Sequence, residues 1–366
     1  MRLAWRELVR RPGRFLTAGL ALTLLVVLLL VLGGILDALI GSSTGLLRAQ
    51  SAPLIAYAAD SRDSIVRSRI DAATLDAIRE VPGIHEVSGL GIALLPARVP
   101  GAEDLADVAV YGYEAANRQV PPPPAPGEAH ADRVLQDEGL AIGDTLELGS
   151  ARVPVEVVGW VEDTSYSLQA GVWVEPATWR TALNENVPNA AVADGVFQAA
   201  LITPEEGLEP ATAAARVDDA VPAVRARTIE DAIAALPGVA QQESVFGAII
   251  AVTFVVAGLV VALFFALITI ERVGLLGVLK AIGASSRNLA AGLTLQAVLI
   301  AGGALVVGGL LTLGLAAVIP DTVPLQLGGG RFAFTAVGLV TTALIGSALS
   351  FRRIVRIDPA SAVGGA

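Results

Sequence analysis

The chain has no cysteine, one lysine (Lys280) and one methionine (Met1). Without cysteine there are no disulfides, no thiolate nucleophile and no thiolate metal site, so any folded domain is held by its own core. A phosphate-binding P-loop needs Gly-x-x-x-x-Gly-Lys-Ser/Thr. Lys280 is followed by Ala281, so this stretch of chain carries no such ATPase site. The two histidines, His85 and His130, have no partner at ligand spacing, which disfavours a metal centre. No dinucleotide fingerprint and no basic nucleic-acid patch is present. Adjacent acids such as Glu162-Asp163, Glu205-Glu206 and Asp218-Asp219 read as solvated faces rather than acid/base pairs. "GSSTG" (Gly41–Gly45) matches Gly-x-Ser-x-Gly, but it follows an apolar run instead of a strand, and the match reads as chance. No catalytic constellation assembles, and the chain reads as a non-enzyme.

Charge is also missing from four long stretches: Phe15–Leu36 (22 residues), Val245–Ile270 (26), Leu289–Ile319 (31) and Phe332–Phe351 (20). At about 1.5 Å per helical residue, each can cross a hydrocarbon core about 30 Å thick. The expected fold is therefore membrane α-helical, with four transmembrane helices and a large extracytoplasmic α+β domain inserted between helices 1 and 2. The first run is longer than a signal peptide's apolar core and lacks an Ala-x-Ala site, so it is expected to stay as an anchor. Ionisable groups inside spans usually mark ion or proton routes. Their absence argues against a proton-coupled transporter and against a hydrophilic pore.

The flanking charges set an orientation. Residues 1–14, 271–288 and 352–366 together carry 11 basic and 3 acidic residues, whereas 37–244 carry 13 arginines and 31 carboxylates. The positive-inside rule places both termini and 271–288 in the cytoplasm, with 37–244 and the loop 320–331 outside. Arginine-rich, alanine-rich usage suggests a bacterial source, hence a multi-pass protein of the plasma (inner) membrane. In 1–14, Arg2, Arg6 and Arg10 share one helical face, which suits an interfacial amphipathic segment or a topology signal alone.

Within 37–244, "APLIAYA" reads as a strand, and "DAATLDAIREVPGI" as a helix capped by Asp71 and ended at Pro82-Gly83. The proline-rich 120–132 reads as an internal boundary, and the order mixed α/β, all-β, mixed α/β suggests a β-rich lobe inserted at about 120–200. In the third run, glycines cluster at Gly302-Gly303, Gly308-Gly309 and Gly314, and Ala304/Gly308 has small-xxx-small spacing. Close helix packing, a dimer face at Ala304, Gly308 and Gly309, or the ordinary abundance of glycine in membrane helices all account for this.

The segment 271–288, "ERVGLLGVLKAIGASSRN", is too long for a tight turn. Leu275, Leu276, Leu279 and Ile282 share one helical face, Gly283 can end the helix, and Ser285 or Ser286 can cap the next. This is the pattern of a docking element for a cytoplasmic partner.

"ERVGLLGVLKAIGASSRNL" between two spans resembles the motif of FtsX-like, macrolide-exporter-type ABC transporter permeases. The tail "RRIVRIDPASAV" resembles that family's closing element, and "IGDTLEL…VPVEVVGWVEDTSYSLQAGVWVEP" resembles the β-lobe of its outer domain. The resemblance implies a homodimeric permease of eight helices in membrane lipid, paired with two separate P-loop ATPase subunits. ATP and Mg would then be bound by the partner, with no cofactor on this chain. It also implies a mechanotransmission mechanism, with Glu271, Arg272, Lys280, Ala281 and Gly283 at the ATPase contact. No fused ATPase is seen, unlike the macrolide exporters, and "SRDSIVRSRI" is similar to haem-export and DevC-type permeases. A haem would find only tyrosines or carboxylates such as Glu243 as ligands. The expected function is export or extraction of an amphipathic, lipid-like molecule. The alternatives are an ATPase-driven regulator of a cell-wall hydrolase or sensor, and an anchored ectodomain with no ATPase partner.

Overall fold

A computed structural model describes residues 12–236, 238–271, 285–319 and 325–355. The chain divides into two compact units, one made of 1–38 and 242–366, the other of 39–241.

The first unit is helical. It holds most of α1 (Pro12–Arg48) and α6 (Val239–Glu271), together with α7 (Ser286–Ala316) and α8 (Gly329–Val355). All four helices are long and apolar enough to cross a membrane. Their shared core contains Leu22, Val26 and Leu30 of α1, Val261 and Phe265 of α6, Ile300 and Ala304 of α7, and Leu339 of α8. Glycine lets the helices touch. A Cβ on Gly308 would lie 2.7 Å from Val26, and one on Gly346 would lie 2.8 Å from the Gly258 carbonyl. Outward, Leu16, Leu20, Leu24 and Leu28 form an exposed stripe on α1, and Leu263 and Leu310 are equally uncovered. More than half of each apolar helix is uncovered, so lipid or further protein must cover the rest.

The second unit is built on strands β1 (Leu54–Ala58), β2 (Ile84–Arg98), β3 (Ala106–Tyr113), β4 (Glu128–Asp132), β5 (Thr145–Leu148), β6 (Val153–Val161), β7 (Ala170–Val174), β8 (Ala199–Pro204) and β9 (Val224–Thr228). Helices α2 (Ala72–Arg79), α3 (Pro176–Asn186), α4 (Pro210–Ala220) and α5 (Ile229–Ala234) pack among them. Asp71 caps α2, accepting from the Thr74 amide at 2.8 Å, as its spacing predicts.

Strand β2 is long enough to serve two sheets. Its first half pairs with β8 in an antiparallel sheet of order β2-β8-β1-β9, which with α2 and α4 is a βαββαβ, ferredoxin-like arrangement. Its second half pairs with β3 and β5, closing a six-stranded barrel through β3, β7, β4, β6 and β5. The inserted lobe expected at about 120–200 therefore begins within β2, well before 120. The proline-rich stretch links two barrel strands, β3 and β4, and marks no boundary. The pattern misled because a strand shared by two sheets carries no break at the point where it changes partners.

Glycines make the junction between the lobes possible. Trp179 of α3 is fully buried against Gly91 of β2 and Gly112 of β3, and Phe197 lies against Gly89. The two rings stack at 6.0 Å. A side chain on any of these glycines would occupy space already filled by an aromatic ring.

Candidate functional site

Of the predicted ATPase-contact residues, Glu271 is the last residue of α6 and exposed. Arg272, Lys280, Ala281 and Gly283 lie outside the described residues, as do 1–11 and 356–366. The next helix begins at Ser286, with Ser285 just before it. Of the small residues of the third run, Ala304 is buried in the four-helix core, Gly308 sits beneath Val26 of α1 and Gly309 beneath Phe332 of α8, whereas a Cβ on Gly302, Gly303 or Gly314 would meet open space.

A contact that sequence reading missed ties the start of α8 to α1 within the helical unit. Arg331 Nε donates to Asp37 Oδ2 at 2.9 Å and its Nη2 to Oδ1, a two-pronged pairing of a largely buried guanidinium. The Arg331 guanidinium carbon also stands 5.8 Å from the Phe334 ring centre. Next to this pair the Gln326 amide donates to the Gly34 carbonyl at 3.1 Å. A Cβ on Gly34 would meet Leu325 at 2.7 Å. Planar bidentate geometry makes this a stronger bond than an ordinary surface ion pair.

The last turns of α1 belong to the second unit and form its most elaborate joint. The stretch "GSSTGLLR" is helical to Arg48, 12 residues past the apolar run that ends at Leu36. Leu46 and Leu47 are fully buried with Tyr57, Tyr111 and Trp173; full burial of one leucine contributes about 1.5–3 kcal/mol. The loop after β6, Asp163–Gln169, lies along these turns. The Leu46 amide donates to the Ser165 carbonyl and the Leu168 amide to the Ser42 carbonyl, each at 3.1 Å. Arg48 Nη2 donates to Asp163 Oδ1 at 2.6 Å and to the Gly41 carbonyl at 2.9 Å, while its Nε donates to Thr44 Oγ1 at 3.1 Å. Gly45 is glycine for a reason: a Cβ there would stand 2.7 Å from both the Asp163 carbonyl and the Ser165 amide. The Gly-x-Ser-x-Gly match is thus a packing site in a helix.

The loop adopts this shape at some conformational cost, because Asp163, Ser167 and Leu168 all have left-handed backbones, with φ of 56, 53 and 68°. A buried network on its barrel side holds it. Asp132 Oδ2 accepts from the Thr164 amide at 2.9 Å and from its hydroxyl at 2.7 Å, and the Tyr111 hydroxyl donates to the Thr164 carbonyl at 2.9 Å. Burial, reinforced by the nearby Asp132 and Tyr166, pushes the Tyr111 hydroxyl well above the usual phenol range, so it stays a neutral donor. The joint fastens the last turns of α1 to the barrel.

Residues 247–359 match the family model described as FtsX-like permease C-terminal. An ABC transporter permease of Mycobacterium tuberculosis is 44% identical over 114 residues, 31% of this chain and 32% of that protein. A protein designated hemin transport system permease HrtB, from Staphylococcus haemolyticus, is 33% identical over 112 residues, again 31% and 32% of the two chains. The matched stretch thus spans about a third of these relatives' own length. Among solved structures, the periplasmic region of MacB from Actinobacillus actinomycetemcomitans aligns over 50% of this chain and 92% of that one, with 9% identity and a TM-score of 0.36.

Proposed function

We propose, taking the FtsX-like permease domain of residues 247–359 as the premise, that the chain is the permease subunit of a two-component ABC transporter working by mechanotransmission. Both termini and 271–288 face the cytoplasm and 37–244 face outward, the orientation that the arginine distribution favours. ATP, with Mg, is hydrolysed on a separate P-loop subunit gripped through Glu271, Arg272, Lys280, Ala281 and Gly283. Two permease chains act together, and the cargo is an amphipathic, lipid-like molecule exported or extracted at the outer leaflet.

One observation carries the mechanical part of this reading. Leu22, Val26 and Leu30 of the membrane-helix core and Leu46 and Leu47 of the ectodomain core lie on a single helix, Pro12–Arg48. Movement of that helix at its membrane end is a displacement of residues built into the ectodomain. The charge-free runs fit a device that moves its outer domain without carrying ions through the bilayer.

The test is Lys280→Glu in the reconstituted complex. Cargo-stimulated ATP hydrolysis is expected to fall at least about tenfold, an effect of about 1.4 kcal/mol or more, with membrane insertion unchanged. Full activity would remove the docking role from this segment.

A further inference from the structure

We infer that a groove of about 740 Å³, lined by the ectodomain alone, binds the head of a zwitterionic amphiphile, a phosphate-linked amine carrying apolar chains. The inference rests on the reading above, and names the cargo class for it. The groove lies where the end of α1 meets the starts of α4 and α5, and its volume is within the range of small-molecule sites.

Its lining is chemically divided. Leu47, Pro53, Ile229 and Ile233 supply apolar wall. Gln50 is 3% exposed, and its Nε2 donates to the Leu46 carbonyl at 2.7 Å. That bond fixes the amide's orientation and leaves Oε1 buried with no donor. A buried acceptor without a donor is costly, and a ligand N–H that reached it would offset that cost. Glu209 and Glu230, also in the lining, are exposed and form no ion pair among the described residues. Together these three groups favour a protonated amine.

The opposite preference comes from Arg118 and the start of α4. Arg118 is exposed and unpaired among the described residues, whereas the other lining guanidinium, Arg48, is already held by Asp163. Glu209, at the N-cap of α4, makes no side-chain bond to the first-turn amides, so that helix end keeps its donors for an anion. An ammonium and a phosphate on one apolar body would use every one of these groups. A purely anionic lipid would place its charge beside Glu209 and Glu230 with no ammonium to offset them, and would bring no cation to the buried Gln50 oxygen.

The test titrates the full chain in nanodiscs, corrected on empty nanodiscs, with three probes. These are dihexanoyl phosphatidylethanolamine, dihexanoyl phosphatidylglycerol and glycerophosphoethanolamine. The expected result is saturable binding of the ethanolamine lipid at least about tenfold tighter than the glycerol lipid, with the tail-less head weaker again by a similar factor. Glu209→Gln/Glu230→Gln, at exposed positions, should erase the preference for the amine, and Arg118→Gln should weaken both lipids equally. Equal binding of the two lipids by the natural chain would overturn the inference, as would a preference that survives the double change. A head that binds as well as the lipid would overturn the amphiphile assignment. The titration uses no ATPase, so a chain that binds the lipid in this pattern yet recruits no ATPase would sink the permease reading and leave the groove standing.

Discussion

Arg48 and Asp163 stand 2.6 Å apart, joining the last turn of α1 to a barrel loop 115 residues further along the chain. Both side chains are about 40% exposed, so as a lone ion pair the contact would be worth little. Its importance lies in company: the same guanidinium closes the helix end through Gly41 and Thr44, and the loop beyond Asp163 hydrogen-bonds α1 at three more points.

Gly45→Val is therefore expected to harm the joint more than loss of the ion pair does. The new side chain must displace the Asp163 and Ser165 backbone, an overpacking cost of about 1–3 kcal/mol, whereas Asp163→Asn should cost about 1 kcal/mol or less. Gly19→Ala, on a helical glycine with nothing within 4 Å, is the control without steric conflict and should be no less stable than the natural chain. Thermal unfolding of the three full-length variants in detergent would show the ranking. A Gly45→Val protein as stable as the control would mean that the loop does not bear on the helix.

The pairing of Arg331 with Asp37 should appear in a double-mutant cycle. Arg331→Met leaves Asp37 alone and Asp37→Asn leaves a largely buried guanidinium alone, each costing about 1–2 kcal/mol after allowance for the partly exposed carboxylate. The double variant should cost less than the sum of the singles. Strict additivity in the unfolding midpoints would contradict the pairing.

At the lobe junction, Trp179→Ala should destabilise the ectodomain by about 3–5 kcal/mol through loss of a fully buried indole. Gly91→Ala, which places a methyl group against the same ring, should also be destabilising. Restoration of stability by combining Gly91→Ala with Trp179→Phe would support steric conflict as the cause; no restoration would point instead to the β2 backbone.

His130 gives the ectodomain a pH dependence of defined sign. Burial holds its imidazolium pKa below the usual 6.5, against weaker opposing effects from the Pro122 backbone and Glu128. The unfolded chain then takes up the proton first as pH falls, so stability present above about 6.5 is lost on acidification through that value towards the folded pKa. Denaturant midpoints measured between pH 7.5 and 5 should fall less steeply in His130→Asn. An unchanged slope would show that the histidine titrates alike in both states.

Much of this is legible in the sequence. The four charge-free runs announced four apolar helices because hydrocarbon length and charge exclusion leave few alternatives, and Asp71 capped its helix because N-capping is local chemistry. What stayed hidden was mostly long-range. No local signal pairs Asp37 with Arg331 or lays Asp163–Gln169 along α1. The helical continuation of α1 was masked by Gly41, Ser42, Ser43, Thr44 and Gly45, whose weak helix propensity is overridden by burial of Leu46 and Leu47. The start of the barrel was hidden because β2 runs without a break, apolar from Gly89 to Leu95, through the point where it changes partners.

The central claim is that this chain couples to a separate ATPase through 271–288. The most direct measurement is purification of the tagged chain from native membranes in mild detergent, with quantification of any P-loop ATPase that accompanies it. An ATPase is expected in equal amount, hydrolysing ATP, and is expected to be lost on Lys280→Glu while the chain still inserts. A chain that emerges alone, and binds no ATPase when one is added back, would contradict it.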